Sequence, residues 1–266
     1  MSDQVLFEVA DHVATLTLNR PDRLNAATFE LGQQLQEHLR AADTDPDVRV
    51  VVLTGAGDAF CSGDDVEAAW GDPRMAEILA ELAKPRPPLT PEIKAILDCR
   101  KPVIAAVNGV AVGIGTDLAL ACDIIVAADT ARFAEAFVRM GLMADVIGYW
   151  RLPQLVGYGR AAQMLFTGEF VDAATALRIG MVNEVVPRDE LTTYVDKLAA
   201  KIARNPPIAV QYIKEGLRRG AGRPASALPE LAAFVGNGLA RLFTTEDHRE
   251  AARAFVEKRP AVFAGR

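Results

Sequence analysis

The stretch NGVAVGIGTDLALACDIIV, residues 108–126, places three glycines and an aspartate between two apolar runs. The run VIAAV before it has the length of a buried strand, TDLALAC favours a short helix, and DIIVAA predicts the next strand. A turn of small residues that opens a helix exposes backbone N–H groups and the positive end of the helix dipole. The stretch therefore predicts an α/β fold with a turn that can hold an oxygen or a negative charge.

The same alternation of strand, turn and helix extends to both sides of this stretch. VLFEVADHVATLTLNRP predicts a β-hairpin that turns near Asp11, and leucines at every fourth position after Thr28 predict a helix. VRVVVLTG and ARFAEAF predict strands, VIGYWRLPQLVG predicts a helix, and VDAATALRIGMVNEVVP predicts a helix that stops at Gly180 before a strand. Five prolines between residues 68 and 92 exclude one continuous helix there and predict a surface lid.

Beyond Pro187 the pattern is helical only, in pieces broken by NPP, GAGRP and KRP. We therefore predict a boundary near residue 195, with an α/β core at 1–195 and a helical region at 196–266. A helical tail of about 70 residues cannot bury all its apolar faces on a core of its own, so packing on another subunit is expected.

Composition narrows the class of protein. The chain has 266 residues, a formal net charge of −6 and no apolar run of the roughly 18 residues that a membrane span needs. Neither nucleic acid nor a membrane is an expected partner. Cys61, Cys99 and Cys122 form no CxxC pair, which fits a reducing compartment, and the N-terminus has no secretory pattern, so we expect a cytoplasmic protein. The three histidines have no metal-ligand spacing.

The glycine turn itself has three interpretations. A nicotinamide oxidoreductase would use Gly109, Gly113 and Gly115, but Leu118 stands where the dinucleotide fingerprint needs its third glycine. The glycines could instead serve backbone geometry alone. As an oxyanion hole, the turn needs a second N–H donor, and the loop FCSGDD, residues 60–65, follows a buried strand in the same kind of position.

The two loops together carry a family resemblance. GAGDAFCSGDD paired with KPVIAAVNGVAVGIGTDLALACDIIVA resembles the enoyl-CoA hydratase/isomerase (crotonase) superfamily, and NRPDRLNA, LFTGEFVDAATALRIGMVNEVVPRDEL and FVEKRPAVFAGR resemble its other blocks in the same order. The resemblance implies a crotonase-type spiral of ββα units with a helical C-terminal region that builds a homotrimer or a dimer of trimers. It implies an acyl-CoA thioester as substrate, with coenzyme A as part of that substrate and no metal or further cofactor.

The resemblance also implies two backbone donors for the thioester oxygen, the N–H groups of Asp64 and Ile114. Ile114 stands where many members have glycine, so its side chain is expected to narrow the acyl pocket or to turn to the core. The Asp64 carboxylate would oppose a forming anion, so we expect it to point to solvent.

The catalytic carboxylates are inferred from the same resemblance. Asp117 occupies the place of the first glutamate of the family's hydratases, and Phe137 occupies the place of the second. Asp145, in MGLMADVIGYWRLP, resembles the catalytic aspartate of the family's dienoyl-CoA isomerases, so Asp117 and Asp145 are our predicted catalytic pair. Each could instead cap a helix. Glu135 shares a face with Phe137 if the strand is regular, and could supply a substitute carboxylate.

The resemblance implies further residues that bind the substrate and its coenzyme A part. They are Arg23, Leu24, Asn25, Ala26, Ser62, Gly63, Asp65, Gly113 and Phe137, with Lys258, Arg259 and Phe263 reaching a neighbouring subunit's adenine pocket. We predict an enzyme that adds or removes water, or moves a double bond, in an enoyl-CoA through an oxyanion-stabilised enolate. The alternatives are a dienoyl-CoA isomerase type of migration without hydration, a non-catalytic acyl-CoA-binding protein, and an NAD-dependent oxidoreductase.

Overall fold

The computed structural model describes residues 3–66 and 89–266. The strands are β1 (Val5–Ala10), β2 (Val13–Leu18), β3 (Val50–Gly55), β4 (Ala59–Cys61), β5 (Val103–Val107), β6 (Val110–Val112), β7 (Ile124–Ala128), β8 (Arg132–Ala134), β9 (Val171–Asp172) and β10 (Glu184–Val186). The helices are α1 (Phe29–Thr44), α2 (Pro91–Asp98), α3 (Ile114–Ala121), α4 (Val146–Val156), α5 (Tyr158–Thr167), α6 (Ala173–Arg178), α7 (Leu191–Ala203), α8 (Pro207–Gly220), α9 (Leu228–Leu242) and α10 (Glu246–Glu257). Short 3₁₀ helices cover Pro21–Arg23, Ala136–Met140, Arg188–Glu190 and Ala225–Ala227. Most of the predicted lid at 68–92 lies outside the described residues.

The strands form two sheets. The larger has the order β1-β2-β3-β5-β7-β10 and the smaller has the order β4-β6-β8-β9. Successive strands of the chain alternate between the sheets, since β3, β5 and β7 each lead directly into β4, β6 and β8. Helix α3 follows the pair β5 and β6, which makes a ββα unit, and repetition of such units produces the predicted spiral.

Local sequence explains where the first elements begin and end. Asp11 and His12 both have positive φ in the turn that joins β1 to β2, as the hairpin pattern predicts. Helix α1 begins at Phe29 because the Thr28 hydroxyl oxygen accepts a hydrogen bond from the Leu31 N–H at 3.1 Å. Its leucines at 31, 35 and 39 are all buried.

The central strands of the larger sheet, β3, β5 and β7, are largely buried on both faces, as their apolar sequences predict. Alternate residues of β3 face opposite cores: Val51 and Leu53 pack in the main core between sheets and helices, whereas Val50 and Val52 pack in a second core. Helix α7 covers this second core with Leu191, Val195, Ala199 and Ala203. The predicted boundary at residue 195 falls inside α7, whose buried face continues past it to Ala203.

The helical region that follows is joined to the α/β part by an ion pair between the buried Lys214 and the half-buried Asp123. Lys214 of α8 places its ammonium group 2.5 Å from an Asp123 carboxylate oxygen and donates a hydrogen bond to the Lys101 carbonyl at 2.6 Å. Asp123 also accepts the Val103 N–H at the start of β5. This contact fixes α8 against the sheet. No helix within 3–66 or 89–266 is both long enough and apolar enough to cross a membrane.

Candidate active site

The candidate site lies where two neighbouring strands of the smaller sheet end. Strands β4 and β6 are parallel partners, so their carboxyl ends lie at the same edge. Strand β4 leads into Ser62, Gly63 and Asp64, and β6 leads into Gly113 and α3. The topology therefore brings together the two glycine loops that the sequence placed about 50 residues apart.

Close backbone contacts hold the two loops in register. A methyl group in place of the Gly115 hydrogen would lie 2.2 Å from the Cys61 carbonyl oxygen, so α3 packs directly on the end of β4. A methyl group at Gly63, where φ is +104°, would lie 3.2 Å from the Val112 carbonyl oxygen. Only glycine permits both approaches, which is the physical reason for glycine at these positions.

The predicted oxyanion donors occupy adjacent positions at this edge. Asp64 forms a parallel bridge with Ala27, in which the Ala27 N–H binds the Gly63 carbonyl at 2.7 Å and the Asp65 N–H binds the Ala27 carbonyl at 2.9 Å. In a bridge of this type the N–H of the central residue points away from the partner segment. Ile114 is the first residue of α3, where the backbone N–H has no acceptor within the helix.

The side chains of the two predicted donor residues lie in different surroundings. Asp64 is exposed, as expected for a carboxylate that points to solvent. Ile114 is buried within the main core cluster, so of the two outcomes expected for it, the turn to the core is the one observed.

Several residues predicted to bind coenzyme A form one hydrogen-bonded unit around the first loop. The Ser62 N–H binds the Leu24 carbonyl at 3.0 Å, and Arg20 binds the buried Asp65 carboxylate at 2.8 Å. Arg23 is a second, longer partner of Asp65 at 3.5 Å. The structure thus brings residues 23–26 and 62–65 together.

The side chain of Asn25 is part of the scaffold in this unit. It is fully buried, accepts the Arg20 N–H at 2.8 Å, and donates to the Ala56 and Ala59 carbonyls at 2.9 and 2.8 Å. These bonds connect the 20–26 segment to the residues that flank β4. Asn25 therefore shapes the loop through its side chain, a role that the sequence pattern did not reveal.

Asp117 lies one turn of helix after Ile114 and has 0% of its surface exposed. Neither carboxylate oxygen has a hydrogen-bond partner among the described residues. The alternative that Asp117 caps its own helix is wrong, because Gly113 occupies the N-cap position. Burial raises the pKa of Asp117 well above its usual range, and the nearby carboxylates Glu135, Asp145 and Asp64 raise it further.

Asp145 immediately precedes α4 and is half-buried. Although it occupies the N-cap position, its side chain makes no capping hydrogen bond, so the alternative that it serves as a cap is also wrong. Its charge acts on the pKa values of both Asp117 and Glu135. The two predicted catalytic aspartates are therefore brought into one site.

Glu135 is the residue whose surroundings differ most from expectation. The strand predicted for ARFAEAF ends at Ala134 in the structure, and Glu135, with φ −90° and ψ 69°, lies just before a 3₁₀ helix. The alternation of side chains along a strand therefore does not place Glu135 and Phe137 on one face. Glu135 is 1% exposed, and both of its carboxylate oxygens lack hydrogen-bond partners among the described residues. Burial, followed by the Asp145 charge, raises the pKa of Glu135 to about 8.

Gly148 connects these carboxylates, although the sequence analysis did not select it. A methyl group at Gly148 would lie 3.6 Å from a Glu135 carboxylate oxygen. The Gly148 N–H donates a hydrogen bond to the Asp145 carbonyl at 3.1 Å and also lies close enough to Asp117 to lower its pKa. In the sequence, close packing is indicated by a glycine inside the first turn of the predicted helix, three residues after Asp145.

Phe137 packs over the glycine turn. A methyl group at Gly113, where φ is +52°, would lie 3.5 to 3.7 Å from three atoms of the Phe137 ring. The half-buried ring is thus an apolar wall next to Ile114 and the donor edge. Its position is compatible with contact to the acyl group, which remains a prediction.

The C-terminal residues predicted to reach adenine do not join this cluster within one chain. Arg259 is exposed and pairs with Glu250 and Glu257 at 2.6 Å. The carbonyl of Phe263 accepts a hydrogen bond from Arg49, just before β3, and Lys258 is exposed in a left-handed C-cap. Contact with a neighbouring subunit stays a prediction.

The two glycine loops at one sheet edge, with buried carboxyl groups beside them, are the arrangement expected of α/β spiral enzymes that hold a developing oxyanion on backbone N–H groups. A family model described as enoyl-CoA hydratase/isomerase matches residues 8–266. The chain belongs to this family, and it is an acyl-CoA enzyme of the enoyl-CoA hydratase/isomerase type.

Relatives of both reaction types are similar over the full chain. A probable enoyl-CoA hydratase of Rhodobacter capsulatus is 38% identical over 98% of each chain. A 1,2-epoxyphenylacetyl-CoA isomerase of Escherichia coli is 34% identical over 100% of each chain. The crystal structure of an enoyl-CoA hydratase from Bacillus anthracis has a TM-score of 0.90 and 32% identity, and covers 99% of this chain and 100% of its own. The crotonase resemblance is confirmed, and the nicotinamide and non-catalytic alternatives are set aside.

Proposed function

We propose that this enzyme moves a double bond in an enoyl-CoA thioester by proton transfer between Asp145, the acyl chain and Asp117. The observation that carries the proposal is the pair of aspartates itself. Asp117 is fully buried and Asp145 is half-buried, both lie beside the donor edge, and neither side chain makes a helix-capping hydrogen bond. Burial and the neighbouring carboxylates raise the pKa of Asp117 well above its usual range, so this group can hold a proton and give it to a substrate.

The proposed steps begin at the less buried aspartate. Asp145 carries a negative charge at lower cost than Asp117, so it removes a proton from Cγ of a 2-enoyl thioester. The electron pair of that C–H bond shifts through the conjugated system, and the negative charge collects on the thioester oxygen, held by the N–H groups of Asp64 and Ile114. Asp117 then gives its proton to the acyl Cα, which yields the 3-enoyl thioester. The reverse reaction exchanges the roles of the two aspartates.

The substrate path and the assembly follow the resemblance. Arg23 to Ala26, with Ser62, Gly63 and Asp65, hold the coenzyme A part, and Gly113 and Phe137 border the acyl group. Proton transfer of this kind needs no resident metal or further cofactor, because carboxyl groups of the chain supply the acid and the base.

The cysteines at 61, 99 and 122 are free and buried, which supports a reducing cytoplasmic compartment.

A homotrimer or a dimer of trimers is the proposed assembly. Exposed apolar side chains on the helical region support it: Ile213, Leu217, Leu239, Phe243, Phe255 and Val256. In such an assembly Lys258, Arg259 and Phe263 would reach a neighbouring subunit's adenine pocket.

Hydration of an enoyl-CoA is a second candidate. The hydratase names of several relatives favour it, as does the presence of Glu135 beside Asp117, since two buried carboxyl groups can hold one water. Phe137, which stands where the family's hydratases have their second glutamate, favours migration over hydration because a phenyl ring cannot accept or donate a proton.

The two reactions are distinguished by the atoms that the product gains. We expect a panel of 2- and 3-enoyl-CoA esters, incubated with the enzyme in deuterated water containing H₂¹⁸O, to gain deuterium at Cα or Cγ without ¹⁸O. Mass spectrometry of the acyl products gives the result. Incorporation of ¹⁸O at the acyl Cβ would establish hydration instead, and no incorporation across the panel would contradict both candidates.

A further inference from the structure

The segment before Glu135 is attached to the same turn that carries Asp117. The Ala134 carbonyl accepts hydrogen bonds from the Gly113 N–H at 2.8 Å and from the Thr116 hydroxyl at 3.1 Å. Thr116 directly precedes Asp117 in the first turn of α3. These two hydrogen bonds therefore fix the backbone just before Glu135 against the glycine turn, next to Asp117.

The Glu135 carboxyl group has no structural partner that explains its burial. Among the described residues it forms no hydrogen bond and no salt bridge, and one of its oxygens lies next to Gly148, whose N–H is close enough to Asp117 to lower the pKa of that carboxyl group. An unpartnered buried carboxylate is costly, whereas a buried carboxylic acid is less so. The carboxyl groups of Asp117, on α3, and Glu135, after β8, therefore both lie near Gly148 of α4.

Among the described residues, the charged groups with the largest effects on this pair are acidic. Asp117 is affected by Glu135, by Asp145 at the start of α4 and by Asp64 on the first loop, and Glu135 is affected by Asp145. Repulsion among these groups adds to the effect of burial, so the protonated forms of Asp117 and Glu135 persist to higher pH than usual.

We infer that Glu135 is the proton partner of Asp117: when Asp117 gives its proton to the acyl Cα, the protonated Glu135 donates a hydrogen bond to the new Asp117 carboxylate. This inference rests on the proposed function. The pair begins with two protons and keeps one after the transfer, so a single negative charge is shared between two carboxyl groups. The hydrogen bond forms by side-chain rotation or through one water, since catalytic contacts are often long before substrate binds. Glu135 is a positioning residue, because it acts through Asp117.

The pH profile of the reaction tests this role. Above the pH at which Glu135 ionises, Asp117 and Glu135 can no longer share a proton after the transfer. We therefore expect the wild-type kcat/KM, measured as deuterium incorporation, to fall at alkaline pH with an apparent pKa of about 8. Glu135→Gln cannot ionise, so its fall should begin at least about one pH unit higher, with a lower kcat at neutral pH. Glu135→Asp keeps the carboxyl group, so in this variant the alkaline fall of kcat/KM (the alkaline limb of the pH profile) should return to the wild-type pH.

The control variant is Glu169→Gln, which changes an exposed glutamate after α5 and should follow the wild-type profile. An alkaline limb at the same pH in the wild type and in Glu135→Gln would overturn the inference, since a merely structural glutamate would change the rate without moving the limb. A wild-type enzyme that incorporates no deuterium would instead overturn the proposed function.

If Glu135→Gln is too slow to titrate, thermal stability tests the premise of the inference, which is that Glu135 keeps its proton in the folded enzyme at neutral pH. The pKa of Glu135 is raised in the folded state from its ordinary 4.5 to about 8, so the folded protein binds this proton more tightly than the unfolded chain does. Stability from this group is therefore lost as pH rises through that window. We expect the Tm of the wild type to fall more steeply than that of Glu135→Gln between pH 5 and about 8, and parallel curves would overturn the inference.

Discussion

Replacing Asp117 with asparagine is expected to lower kcat/KM for deuterium incorporation by about 10²- to 10⁴-fold, the range typical for loss of a general acid or base. The amide is nearly the same shape as the carboxyl group but cannot give a proton to the acyl Cα. Binding of coenzyme A thioesters should be retained, because the backbone donors and the 23–26 and 62–65 segments are untouched. Steady-state kinetics and calorimetric titration measure the two effects.

The fold of Asp117→Asn should survive, and this separates a chemical loss from a structural one. Since the pKa of Asp117 is raised in the folded state, its ionisation opposes folding increasingly as pH rises above its usual range. The asparagine variant should therefore melt no earlier than the wild type at alkaline pH. Asp196→Asn, at an exposed position of α7, is the matched control and should keep wild-type activity. Wild-type activity in Asp117→Asn would contradict the assigned role.

Replacing Gly115 with alanine is expected to damage both activity and stability. The new methyl group would lie 2.2 Å from the Cys61 carbonyl oxygen and 2.9 Å from two further atoms of Cys61, so α3 and β4 must separate. That movement displaces the two donor loops relative to each other. Loss of one oxyanion donor typically lowers kcat by about 10²- to 10³-fold, and overpacking typically costs about 1 to 3 kcal/mol of stability. Kinetics and urea unfolding check the two effects.

Gly159→Ala is the control for the backbone argument. Gly159 lies in α5, is exposed, and has no atom within 4 Å of the position that a methyl group would take. Alanine there should be neutral or slightly stabilising, since it favours the helix over glycine by up to about 1 kcal/mol. A Gly115→Ala enzyme as active and as stable as Gly159→Ala would show that the contact between the loops does not position the donors.

Much of the fold followed from the sequence because its patterns are local. The hairpin at Asp11, the helix after Thr28 and the helix stop at Gly180 each depend on residues within a few positions. The meeting of the two donor loops needed more, since it depends on the parallel pairing of β4 with β6. The resemblance to a family supplied that step in advance, and the sheet order explains it physically.

The surroundings of Glu135 could not be predicted from alternation. The strand ends at Ala134, three residues before the end of the predicted strand, and this changes the direction of the Glu135 side chain. The Ala134 carbonyl is held by Gly113 and Thr116, which lie about 20 residues away in the chain. Asn25 is a similar case, because its hydrogen-bond partners Ala56 and Ala59 lie beyond α1 in the chain. Neither role leaves a local pattern.

The most direct test of the account is a crystal structure of the enzyme with a slowly reacting enoyl-CoA analogue. We expect the thioester oxygen to lie about 2.7 to 3.1 Å from both the Asp64 and the Ile114 backbone nitrogens. The acyl chain should run past Asp117 toward Asp145, with Cα on the side of Asp117. A thioester oxygen bound away from these two nitrogens, or an acyl chain that does not approach the aspartates, would contradict the central claim.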